Sequence, residues 1–226
     1  EGTALGIFRD NDLIACDDDV DFSYSYEYYD IFLNKVKPEL ESKGYIVGIS
    51  SGVLNNKLLA NYGQYNFLIK NKPKLVIETG VHHGIGACII AVALEENIKE
   101  GFPGKYLGTD IDKNAGKLFN SNFSHIGKVL YGDSIESLKE ISEKIDLFIN
   151  DSDHSDEYES REYSVIKNKL SPHAVILGDN SHVTESLHKF SIKNNRHFVF
   201  FKEDPLNHWY PGGGIGISIP SANHQV

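Results

Sequence analysis

From Lys74 onward the chain alternates short apolar runs with stretches of helical spacing, and this constrains the fold more than any other feature. The runs at Lys74–Glu78, Lys105–Asp110, Lys128–Tyr131, Ile145–Asn150 and Ala174–Leu177 have the length and composition of buried strands. Gly86–Asn97, Asn114–Asn120, Ile135–Glu143, Glu157–Lys169 and Val183–Lys193 carry the helical spacing between and after them. Strand–helix–strand units in series predict a parallel sheet with right-handed crossovers and helices on its faces. His197–Phe201 and Ile215–Ile219 have no helix between them, so they are expected to pair antiparallel. The expected fold is therefore α/β: a doubly wound, mostly parallel, seven-stranded Rossmann-like sheet with an antiparallel last strand. A break near Val47–Asn55 sets off a small N-terminal extension, residues 1–50, from a domain at 51–226 that opens with a helix over Ser51–Lys70.

The charge balance removes several classes of function. The 226 residues include 32 acidic and 22 basic ones, for a net charge of −10, and such a chain repels phosphate backbones. Nucleic acid is not the expected partner. No apolar stretch is long enough to span a bilayer, and Glu1-Gly2-Thr3 does not open a signal peptide. The two cysteines, Cys16 and Cys88, exclude a disulfide framework and a four-cysteine zinc site, and they fit a reducing, cytoplasmic setting. No methionine occurs, from which we expect a truncated N-terminus. The sequence leaves homo-oligomerisation open.

The first strand runs into Glu78-Thr79-Gly80-Val81-His82-His83-Gly84-Ile85-Gly86. A glycine-rich turn between strand and helix lets a ligand approach the backbone, and the helix start offers free N–H groups. The dinucleotide fingerprint reads G-x-G-x-x-G. Here a carboxylate precedes glycines at another spacing, which suits a cationic ligand better than a pyrophosphate. The second strand ends at Asp110, roughly 20 residues beyond the loop, where an acid can accept from both ribose hydroxyls. Asp133 follows the third strand and can accept from an adenine amino group. Together these residues resemble the class I S-adenosylmethionine-dependent methyltransferases over about Ser51 to Ile219. The resemblance implies S-adenosyl-L-methionine as cofactor, with Glu78, Gly80, Gly84 and Gly86 as the first motif, Asp110 at the ribose and Asp133 at the adenine. His82 and His83 read as loop residues.

The fourth and fifth strands end in Asn150-Asp151-Ser152-Asp153-His154 and Gly178-Asp179-Asn180. Two carboxylates and an amide oxygen on adjacent strand ends make a hard-oxygen site suited to Mg²⁺, while nearby histidines admit a softer metal. The competing reading has Asp151 and Asp179 capping the helices that follow. The pattern resembles the metal-dependent O-methyltransferases, of both the catechol type and the sugar-modifying macrocin and mycinamicin type. That resemblance implies Asp151, Asp179 and Asn180 as ligands of Mg²⁺, His154 as the base and Asp153 as its alternative. Trp209, Tyr210 and Gly212–Gly214 read as a segment that closes over the acceptor, the competing reading being that Trp209 serves packing alone.

The extension carries Gly2-Thr3-Ala4-Leu5-Gly6-Ile7-Phe8-Arg9 and the Asp17–Asp21 cluster. This resembles the signature of the LicD family of phosphocholine and related transferases, and implies Asp19 and Asp21 as metal carboxylates of a truncated or vestigial module; the competing reading is an acidic surface extension without activity. The family decorates surface glycans, so the resemblance implies a sugar or glycan-precursor hydroxyl as methyl acceptor, in surface polysaccharide biosynthesis. The alternatives are a LicD-like nucleotidyl or phosphocholine-type transferase, and a catalytically silent scaffold that keeps the cofactor fold.

Overall fold

Every residue of the first central strand is buried, the pattern of a strand covered on both faces. The computed structural model describes residue 65, residues 67–202 and residues 213–221. The extension, its boundary with the domain, most of the helix expected over Ser51–Lys70, and the Trp209 segment lie outside these residues.

Seven strands form one sheet: β1 (Leu75–Thr79), β2 (Lys105–Asp110), β3 (Gly127–Tyr131), β4 (Ile145–Asn150), β5 (Leu170–Gly178), β6 (Arg196–Lys202) and β7 (Gly214–Pro220), in the order β3-β2-β1-β4-β5-β7-β6. β1 to β5 pair parallel, and β7 runs antiparallel between β5 and β6. Among the described residues five α-helices connect them: α1 (Ile85–Lys99), α2 (Lys117–Asn122), α3 (Ser134–Glu140), α4 (Asp156–Ile166) and α5 (Ser186–Lys193), with a 3-10 turn at Lys167–Lys169 after α4.

The two-residue alternation of β1 splits the core. Val76 faces one cluster with Ala87, Ile90, Ala91 and Leu94 of α1. Leu75 and Ile77 face the other, with Leu138 of α3, Tyr163 and Ile166 of α4 and Leu187 of α5. The helices are thereby fixed on both faces, and the loops at the carboxyl ends of the strands are left to build a site.

β5 begins four residues before the apolar run predicts. Ile145 pairs with Leu170 but Leu147 pairs with Val175, so the segment between bulges out of the ladder. Pro172, which has no N–H to donate, falls in that bulge. α2 starts three residues later than expected because Gly116, at φ 69°, forms a left-handed N-cap. α5 likewise starts late. A turn closed by Val183 N–H donating to the Asn180 carbonyl uses up the residues the periodicity gives to the helix.

Candidate active site

The ladders of the central strands run one residue past the sheet. Gly80 N–H donates to the Thr109 carbonyl at 2.9 Å, Asp151 N–H to Thr79 at 2.9 Å, and Asp179 N–H to Asn150 at 2.8 Å. The loops after β1, β4 and β5 therefore leave the same edge at one level, with Asp110 closing β2 beside them. They also touch. Gly80 has φ 84°, and a Cβ there would stand 1.8 Å from the Asp151 carbonyl oxygen. Only glycine lets the two loops pass so closely.

Glu78 is buried, and the Tyr106 hydroxyl donates to it in a very short hydrogen bond. A Cβ at Gly86 would lie 2.7 Å from Glu78 Oε1, so that glycine is what admits the carboxylate beneath the start of α1. Burial pushes the Glu78 carboxyl up to about 7; the Tyr106 bond opposes the shift and the charge of Asp110 adds to it. No basic side chain forms an ion pair with it among the described residues, which suits a site for a cationic ligand. Asp110 accepts from His82 N–H and from Asp112 N–H, both at 2.8 Å, one on each oxygen. The carboxylate is thus held by its own loop, and each oxygen keeps a further lone pair for a hydroxyl. Asp133 is the N-cap of α3, accepting from Ile135 N–H at 2.7 Å, and Tyr158 donates to the same oxygen at 3.2 Å.

Across the Gly80–Asp151 contact, Asp151, His154 and Asp179 offer ligand atoms that all lie within 4.8 Å of one another, as one cation requires. His154 Nε2 is 3.8 Å from Asp151 Oδ1 and 3.8 Å from Asp179 Oδ2. Partial burial and the neighbouring charge of Asp179 hold the Asp151 carboxyl well above the usual carboxylate range, and His154 opposes that shift. Two carboxylates in such a position attract a proton or a cation. Neither caps a helix: Ser155 caps α4 and Glu185 precedes α5. Asn180, at φ 48°, turns its amide nitrogen toward Asp179 Oδ2 at 2.7 Å, and a half-turn of the amide brings the oxygen to the same side. Asp153 is exposed and folds back onto Ser155, accepting from its N–H at 2.8 Å; the Ser155 side chain first and its N–H second lower the Asp153 pKa, and Asp153 stays outside the three-residue group.

Sequence reasoning missed two glutamates of α4. Glu162 is fully buried and accepts from Ser134, Asn150, Ser152 and Thr79, which pins the residues on either side of Asp151. Burial raises its pKa while those donors lower it. Glu159 is also buried, and His154 Nδ1 lies 3.4 Å from its Oε1. That bond is the largest influence raising the His154 pKa; partial burial opposes it. The signal was present in the spacing: Glu159, Glu162, Tyr163 and Ile166 form one helical stripe.

A doubly wound sheet of this strand order, with a glycine loop after β1 and acids at the ends of β2, β4 and β5, defines the class I methyltransferase fold. Residues 77–181 match a family model described as a methyltransferase domain. Solved structures agree in fold. An O-methyltransferase from Bacillus cereus in complex with S-adenosylhomocysteine is 12% identical, with a TM-score of 0.58 over 96% of this chain and 98% of that one. The O-methyltransferase TomG from Streptomyces achromogenes, involved in tomaymycin synthesis and bound to S-adenosylmethionine, is 10% identical, with a TM-score of 0.59 over 82% of this chain and 96% of its own. A methyltransferase from Geobacter sulfurreducens is 14% identical, with a TM-score of 0.56 over 96% of both chains. No curated protein matches in sequence. The described residues thus have the fold of the class I methyltransferases, and residues 77–181 within them match the methyltransferase-domain model. None of its described helices is long and apolar enough to cross a membrane.

Proposed function

We propose that the chain transfers the methyl group of S-adenosylmethionine to an oxygen of a small-molecule acceptor, with one divalent cation at Asp151 and Asp179. The observation that carries this reading is the contact of Gly80 with Asp151, which sets a carboxylate pair directly beside the cofactor loop. Glu78 takes the cationic end of the cofactor, Asp110 the ribose hydroxyls, and Asp133 the adenine while it caps α3. Asp151 and Asp179, with the Asn180 amide oxygen after its half-turn, hold Mg²⁺. The cation would lower the pKa of an acceptor hydroxyl and orient it toward the methyl group. His154 takes the proton, with Asp153 as the more distant alternative. A sugar or glycan-precursor hydroxyl is the proposed acceptor, in surface polysaccharide biosynthesis and in the cytoplasm; it rests on the sequence resemblances alone, as does the LicD-like extension.

The test is calorimetry with S-adenosylhomocysteine, with and without Mg²⁺, followed by a mass-spectrometric screen for methylated products over hydroxylated acceptors that include nucleotide sugars. Binding of the cofactor product and a methylated sugar support the reading. A chain that does not bind S-adenosylhomocysteine is a silent scaffold, and one that methylates only nitrogen or carbon is not an O-methyltransferase.

A further inference from the structure

Glu159 lies on the first turn of α4 and is 1% exposed. A carboxylate buried to that degree needs donors. Among the described residues no lysine or arginine forms an ion pair with it. Its donors are Thr184 Oγ1, 2.5 Å from Oε2, and His154 Nδ1, 3.4 Å from Oε1. His154 belongs to the loop that carries Asp151, and Thr184 to the loop that carries Asp179 and Asn180. One buried carboxylate therefore ties together the two loops that present the acidic pair.

We propose that Glu159 is a positioning residue for His154: it accepts the Nδ1 proton and so fixes the tautomer whose Nε2 lone pair faces Asp151, Asp179 and the acceptor. Which ring nitrogen carries the proton is set by the partner of the other one. The far side of the ring agrees. The two carboxylate oxygens stay 3.8 Å away, beyond the distance an Nε2–H would close to bond them. The inference rests on the reading of His154 as the group that takes the acceptor proton. It adds that the orientation of this group is imposed from inside the fold, by a residue that touches neither cofactor nor acceptor.

The experiment is long-range ¹H–¹⁵N correlation NMR of the histidine rings in the full chain at alkaline pH, where imidazole is neutral, with His154→Ala to assign the signal. The expected wild-type spectrum shows His154 protonated at Nδ1 and bare at Nε2. Glu159→Leu should move the proton to Nε2. Glu159→Gln should keep it at Nδ1, because the amide carbonyl still accepts. S-adenosylhomocysteine affinity, measured by calorimetry, should stay unchanged in both variants and so report an intact fold. A wild-type chain that binds S-adenosylhomocysteine but carries the proton on Nε2 overturns the inference and leaves the methyltransferase reading standing. A wild-type chain that binds no S-adenosylhomocysteine overturns that reading and the inference with it. Should the leucine variant not fold, the wild-type spectrum alone decides.

Discussion

Gly80 and Glu78 show how single residues set the chemistry of this edge. At Gly80 both objections to a side chain apply at once: the backbone is left-handed, and a Cβ would meet the Asp151 carbonyl at 1.8 Å. Gly80→Ala must push the cofactor loop and the acidic loop apart. It is expected to cost more than about 1 kcal/mol of stability, and to weaken S-adenosylhomocysteine binding and cation binding together. Denaturant unfolding and calorimetry check this; loss of one ligand without the other would mean that the loops move independently. Glu78 gives a prediction with a sign. Its carboxyl titrates near 7 in the fold against 4.5 for the free group. Between those values the folded chain keeps a proton that the unfolded chain has released, so this group's stabilising contribution is complete below the lower value. It is lost as the pH rises through the upper one. The loss is at most about 3 kcal/mol, at 1.36 kcal/mol per unit. Glu78→Gln should remove that slope. The difference in unfolding free energy between wild type and variant, followed from acid to neutral pH, should change across the window, and a flat difference would mean that Glu78 titrates in the fold as it does in the unfolded chain.

Among the elements, β2 and β4 were legible to the residue, because each is an apolar run bounded by clear turns. The first half of β5 was not. Ser171-Pro172-His173 reads as a breaker, and only the paired geometry of β4 shows the strand continuing around a bulge. The starts of α2 and α5 slipped for a local reason: left-handed Gly116 and the turn after Asn180 override the apolar spacing. The strand-end acids were legible because a doubly wound sheet sends every such residue to one edge. Glu159 and Glu162 were not, since a glutamate in a helix reads as solvent-facing unless its phase is compared with that of Tyr163 and Ile166. Asp133 shows one residue placed at two levels. The family resemblance implies a place near an adenine, while the fold makes it the cap of α3. Asp133→Ala should cost about 1 kcal/mol of stability through the lost cap, and Asp133→Asn, which still caps, should cost much less. If the asparagine variant keeps its stability but binds S-adenosylhomocysteine less well, the carboxylate charge serves the cofactor; if both variants bind normally, Asp133 is a cap alone.

For the molecule as a whole, the strand order divides the labour. β1, β2 and β3 lead to Glu78, Asp110 and Asp133, while β4 and β5 lead to Asp151 and Asp179, and the two groups meet where β1 lies beside β4. The acidic pair is costly to the empty fold, because burial and the charge of Asp179 oppose the ionisation of Asp151. A pair kept for structure would behave otherwise, since removing a structural partner destabilises. Asp179→Asn in EDTA should therefore be at least as stable as the wild type, having lost the repulsion. Mg²⁺ should reverse the order. Binding only to the native wild type, it stabilises by about 2.7 kcal/mol at a hundredfold excess over its dissociation constant, whereas the variant gains little. S-adenosylhomocysteine affinity should differ little between EDTA and Mg²⁺, since the residues proposed for cofactor and cation come from different strands. Thermal unfolding of both chains with EDTA, with Mg²⁺, and with Mg²⁺ and S-adenosylhomocysteine tests all three expectations. A variant less stable than wild type in EDTA and stabilised equally by Mg²⁺ would make Asp179 a structural residue, and the cation would have to be held elsewhere.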